Sequence, residues 1–137
     1  MLERFSAALD ADLLTRFDRF VLRRGYGNRS EAIRDLIRKA LVDDEWQAGT
    51  EDVMGVITLV YDHHRPNLLN RLTELQHEAR AAVISTTHVH MDHHNCLEIV
   101  IVRGRAGDVR ALSDQLLALR GVKSGGLSTT TTGKRLA

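Results

Sequence analysis

The sequence predicts an α+β chain in two parts: a strand followed by two helices, then a four-stranded sandwich in the order βαββαβ. Three observations carry this. Residues 4–9 alternate in polarity and lead into two stripes of helical spacing, whereas residues 53–132 switch repeatedly between strand-like and helix-like periodicity. Between the two patterns, "DDEWQAGTED" (43–52) is acidic and polar with one glycine. The expected organisation is a first domain over 1–45, a linker over 46–52, a second domain over 53–132 and a loose tail over 133–137.

In "RFSAAL" (4–9), Phe5, Ala7 and Leu9 point one way and Arg4, Ser6 and Ala8 the other, as in a half-buried strand. Leu13, Phe17, Phe20 and Val21 then recur at helical spacing, with Asp10 or Asp12 able to cap the start. The glycines of "RRGYGNRSE" stop that helix. Ser30 is the expected N-cap of the next, with Glu31 in its first turn and Ile33, Leu36, Ile37, Ala40 and Leu41 as its apolar stripe. About 45 residues hardly bury an independent core, and a single strand has no partner within the unit, so pairing with a second copy is expected.

Beyond the linker, where Trp46 either anchors the hinge or merely finishes a helix, "VMGVITLVY" (53–61) reads as a buried strand. "PNLLNRLTELQHEAR" (66–80) reads as an amphipathic helix with Pro66 in its first turn. "AVISTTHVHM" (82–91) is a strand, "DHHN" a turn, and "CLEIVIVRG" (96–104) the returning strand. A helix over 106–121 and a less hydrophobic strand over 122–132 complete a ferredoxin-like βαββαβ arrangement. The four threonines at 129–132 suit an edge strand.

Composition narrows the function classes. Hydrophobic content of 43% and charged content of 27% exclude a disordered chain. No signal peptide and no run near the roughly 18 apolar residues of a membrane helix is present, so a cytoplasmic protein is expected. Net charge is only +1, which gives no whole-molecule case for nucleic acid, but residues 16–39 hold eight basic against three acidic residues. The single cysteine cannot form an internal disulfide; beside histidines in a reducing compartment it is a ligand or a nucleophile.

That cysteine lies in "STTHVHMDHHNCLEI" (85–99), which holds four of the seven histidines. Residues two apart on a strand share a face, so His88 and His90 present both imidazoles to one side. The hairpin can bring Cys96 to them, giving two nitrogens and one sulfur. A fourth ligand is missing from that hairpin, and His77 sits near the end of the preceding helix.

The first third of the chain, with "GYGNRSEAIRDLIRKAL", resembles the ribbon-helix-helix transcription factors. The resemblance implies a dimer that inserts paired strands into the major groove of double-stranded DNA, with Arg4, Ser6 and Ala8 facing the bases. Ala8 departs from the polar residue many relatives carry there. Arg29, Ser30 and the start of the second helix would clamp phosphate. With the βαββαβ half, the late-helix Gln-His, the His-x-His and the cysteine before Leu-Glu, nearly the whole chain is similar to the nickel-responsive regulators.

This second resemblance implies a homotetramer, a dimer of dimers with a DNA-binding pair at each end and a two-part inverted-repeat operator. It implies Ni(2+) in square-planar sites held by His88, His90 and Cys96 of one chain and His77 of a neighbour. Gln76 and Glu98 would orient those ligands. It also implies a repressor of nickel-uptake genes with Ni(II) as corepressor, not an enzyme. Imidazole and tetragonal geometry independently suit Ni(II) or Cu(II), whereas zinc prefers a tetrahedron.

Two rivals come from other classes. A zinc enzyme would use the same cluster with a position open to water, but Glu98 is the nearest base and no hydrolase motif is present. A metal-storage oligomer would have no use for the ribbon. Glu31 and Asp35, one turn apart, can hold a secondary cation against the second domain or pair locally with Arg38 or Lys39. His63, His64, His93 and His94 are either solvated or weak secondary sites.

Overall fold

In the computed structural model, which describes all of Met1–Ala137, helix α1 (Ala11–Arg23) begins where the Asp10 carboxylate accepts from the Asp12 and Leu13 amides at 2.9 and 3.4 Å. It ends at Gly25, whose φ of 78° is left-handed, with the Tyr26 amide bonded back to the Val21 carbonyl. Helix α2 (Arg29–Ala48) starts one residue before the expected cap. Asn28, not Ser30, caps it: its side-chain oxygen accepts from the Glu31 amide at 2.9 Å, and the Glu31 carboxylate accepts from the Gly27 amide at 3.1 Å. Asn28 lies three residues before a glutamate and makes a variant of the capping box in which the carboxylate reaches back to Gly27 rather than to Asn28 itself; Ser30, with Ile33 three residues on, cannot. Asn28→Ala should therefore cost about 1 kcal/mol of stability, read as a lower unfolding midpoint; an unmoved midpoint would show the cap to be dispensable.

The strand expected over 4–9 does not form: residues 1–10 have no regular structure. A strand exists through its partner's hydrogen bonds, and one chain supplies no partner. The alternation is visible over residues 5–9, since Phe5, Ala7 and Leu9 line a groove of about 690 Å³ with Phe17, Ile33 and Ile37 whereas Ser6 and Ala8 do not, but Arg4, expected on the outer side, lines the groove too. Only Val21 and Ala32 are buried within Met1–Ala40, which forms one compact unit.

The second unit, Leu41–Ala137, is built on a four-stranded antiparallel sheet. Its elements are β1 (Asp52–Asp62), α3 (Leu68–Glu78), β2 (Ala82–His90), β3 (Asn95–Arg105), α4 (Ala106–Leu117) and β4 (Val122–Thr129), in the strand order β2-β3-β1-β4. This is the expected βαββαβ arrangement. Val53, Ile57, Leu59 and Tyr61 of β1 and Cys96, Val100 and Val102 of β3 pack with Leu68, Leu72 and Leu75 of α3 and Val109, Leu112 and Leu116 of α4. Gly55 is required where α4 approaches, because a Cβ there would lie 2.8 Å from a Val109 methyl. The opposite face, with Val56, Val60, Leu97, Ile99 and Ile101, is only half-buried.

Three local expectations are corrected. Pro66 precedes α3 rather than entering its first turn, because Asn67 takes a left-handed φ of 66° and turns the chain into the helix. Residues 43–48 are helical, and Trp46 is 3% exposed within the core, its indole N–H donating to the Thr130 carbonyl at 2.8 Å. Only Thr129 of the four threonines lies in β4, although the Thr130 amide still donates to the Met54 carbonyl of β1 at 3.0 Å. No helix is long and apolar enough to cross a membrane.

Candidate metal centre and nucleic-acid interface

Register assembles the centre. Pairing of β2 with β3 sets His88 opposite Glu98 and His90 opposite Cys96, while β1 sets Tyr61 opposite Cys96 from the other side. Directly paired residues share a face, so all five project toward the helix-covered side. The register shifts between Val83 and Ser85, where Ile84 is an extra residue. Were Ile84 paired with Ile101 and the register of Val83 continued unshifted, His88 would pair with Leu97 and His90 with Asn95, and both imidazoles would turn to the other face.

The hairpin holds this register through Asp92, whose carboxylate accepts from the Asn95 amide at 2.7 Å and the His94 amide at 2.9 Å. The Asn95 side chain and amide, then the His94 amide, draw the Asp92 carboxyl down to about 2.

The Cys96 sulfur, 2% exposed, lies 3.8 Å from His88 Nδ1. His88 Nε2 lies 3.3 Å from Glu98 Oε1, and the Tyr61 hydroxyl donates to Glu98 Oε2 at 3.1 Å. Burial, then the charge of Glu98, pushes the Tyr61 phenol well above its usual range and keeps it a proton donor. One imidazole thus has one nitrogen beside a thiol and the other on a buried carboxylate, the usual support of a metal-ligating histidine. Nitrogen with sulfur donors suits a transition metal rather than calcium or magnesium.

Not every expected ligand converges. The His90 ring packs edge-on against His63, with centroids 5.3 Å apart. His77, at the end of α3, lines an open cleft of about 530 Å³ with Gln76, His88 and Glu98. No three His, Cys, Asp or Glu side chains of the single chain are grouped to hold an ion. His63, His64, His93 and His94 cluster around the hairpin end with ring centroids 4.2–5.9 Å apart between neighbours. Desolvation, then the nearby His64 and His90, holds His63 below the ordinary imidazole range.

At the other end of the chain Arg4, Ser6 and Ala8 are exposed, as are Arg29 and Ser30. Arg29 makes a bidentate ion pair with Asp18, both bonds 2.8 Å. Exposed pairs add little stability, so phosphate can compete for the guanidinium. Glu31 is engaged by the Gly27 amide, and Asp35 accepts from the Tyr26 hydroxyl at 2.9 Å and from Arg38 at 3.3 Å.

Sequence reasoning missed Tyr61. Its signal was the alternation of β1, but only the β1–β3 register reveals that it abuts Cys96.

Comparison with known proteins covers both units. The family described as ribbon-helix-helix protein, CopG family, matches residues 3–44, and the NikR C-terminal nickel-binding domain matches residues 54–130. Proteins carrying the name nickel-responsive regulator are similar along almost their whole length. One from Desulfotalea psychrophila is 56% identical, covering 99% of each chain, and one from Geobacter sulfurreducens is 52% identical, covering 97% of this chain and 96% of its own. Among solved structures, an uncharacterized protein from Thermotoga maritima superposes with a TM-score of 0.50 at 16% identity, covering 58% of this chain and 98% of that one, a likeness of fold alone.

Proposed function

The chain belongs to the family of nickel-responsive regulators, and from that premise we propose that it represses transcription with Ni(II) as corepressor. It is a nickel-responsive, DNA-binding transcription regulator rather than an enzyme, and nickel is its metal. The ligands are His88, His90 and Cys96 of one chain and His77 of a neighbour, with Gln76 and Glu98 orienting them. The observation that carries this set is the Cys96 sulfur at His88 Nδ1, with Glu98 on the far nitrogen. Ni(II) bound there would supply a preference for tetragonal nitrogen and sulfur coordination.

The half-buried apolar sheet face supports a homotetramer, since a face of Val56, Val60, Leu97, Ile99 and Ile101 gains by burial against a second copy. The unpaired arm supports a ribbon completed by a partner chain, with Arg4, Ser6 and Ala8 toward the bases and Arg29 and Ser30 on phosphate. Two such ribbons in one symmetric assembly read an inverted repeat, in the cytoplasm where the operator lies. Nickel-uptake genes are the proposed targets. Coupling is reciprocal, so operator DNA tightens nickel binding by the factor by which nickel tightens operator binding.

The test is binding to the protein's own upstream DNA and to a random fragment, under reducing conditions, with nickel, zinc or chelator. Tight binding to the specific fragment only with nickel is expected; binding indifferent to metal would overturn the corepressor reading. In the same assay Arg4→Ala should cost about 1–3 kcal/mol of specific affinity and leave nickel binding intact. Equal loss on random DNA would reassign Arg4 to phosphate.

A further inference from the structure

Tyr61 is fully buried in the core beneath the helices. Its hydroxyl reaches Glu98 Oε2 at 3.1 Å and His88 Nδ1 at 3.4 Å. The hydroxyl has one proton to give, and Glu98, 4% exposed, is a buried carboxylate that needs donors.

For a neutral imidazole facing an ionised carboxylate, counting protons leaves one consistent arrangement. With His88 Nε2–H on Glu98 Oε1 and Tyr61 O–H on Glu98 Oε2, both carboxylate oxygens accept, and Nδ1 keeps a lone pair that the Cys96 S–H can meet at 3.8 Å. In the opposite tautomer Nδ1–H would donate to the phenol oxygen, and the Nε2 lone pair would face a carboxylate oxygen at 3.3 Å with no proton between them. The carboxylate therefore selects the Nε2–H form, provided it is held in place.

We propose that Tyr61 is a positioning residue: by donating to Glu98 it keeps that carboxylate on His88 Nε2–H, so that the imidazole offers Nδ1 beside the Cys96 sulfur. This rests on reading His88 and Cys96 as nickel ligands. Without the hydroxyl, Glu98 loses a donor and is free to swing into the cleft lined by Gln76 and His77.

Tyr61→Phe keeps the ring and removes the donor. In the metal-free protein, long-range ¹H–¹⁵N spectra should give a pure Nε2–H tautomer for His88 in the parent and a mixture in the variant. Nickel affinity against a competing chelator should fall about 10–100-fold, as for other residues that orient ligands. Glu98→Gln should also lose affinity, and the double variant should lose no more than the worse single one. An unchanged tautomer in Tyr61→Phe would overturn the proposal, as would additive losses; a lowered unfolding midpoint with the tautomer intact would make Tyr61 a packing residue. His88→Ala tests the ligand reading separately: retained nickel binding would remove His88 from the site, whereas the metal-free tautomer result is independent of it.

Discussion

Cys96→Ser should weaken nickel binding by more than about 100-fold and abolish the sulfur-to-nickel charge-transfer absorption. Cys96 is the single cysteine, so no other thiol can take over the band. A serine hydroxyl is nearly the same size but stays protonated at neutral pH and is a hard donor, whereas the thiolate is soft and anionic. A four-ligand transition-metal site is worth about 10–16 kcal/mol at neutral pH, so losing its one anionic ligand removes about 3 kcal/mol or more. The metal-free fold changes little, because the hydroxyl can donate to His88 Nδ1 in place of the thiol. Titration against a chelator and the near-ultraviolet spectrum read the two effects, and an unchanged band would take the thiolate out of the site.

How far the sequence already contained this centre depends on the range of each signal. The βαββαβ order was legible because periodicity is local, and the sharing of a face by His88 and His90 follows from spacing alone. Which face they share was not legible. It depends on Ile84, an extra residue in an otherwise unremarkable run of β2, and on the register that sets His90 against Cys96. Tyr61 was hidden for the same reason: β1 and β3 are far apart in sequence, and nothing local says that Tyr61 meets Cys96.

The helix caps divide in the same way. The sequence left the first cap open between Asp10 and Asp12, and Asp10 takes it, whereas Ser30 lost to Asn28 because the bonds to the Glu31 amide and from its carboxylate depend on where the helix begins. The arm was read as a strand from its alternation, and residues 5–9 keep that alternation, but the hydrogen bonds that define a strand must come from outside the chain.

Mixing two variants expected to bind nickel weakly, His77→Ala and Cys96→Ser, should restore tight binding. His77 shares a cleft with His88 in its own chain, yet no three donors of that chain are grouped to hold an ion, so the fourth ligand can come from α3 of the same chain or of another. If a neighbour supplies it, each variant alone breaks every site. In a mixed assembly, the intact His88, His90 and Cys96 of a His77→Ala chain meet the intact His77 of a Cys96→Ser chain, and half of the sites between unlike chains are whole. Unfolding and refolding the two together, then titrating nickel, should bring back a charge-transfer band absent from either variant alone. If His77 instead serves its own chain, every site in the mixture lacks one ligand and the mixture stays without the band. Where the band does return, the nickel dependence of operator binding should return in step with it.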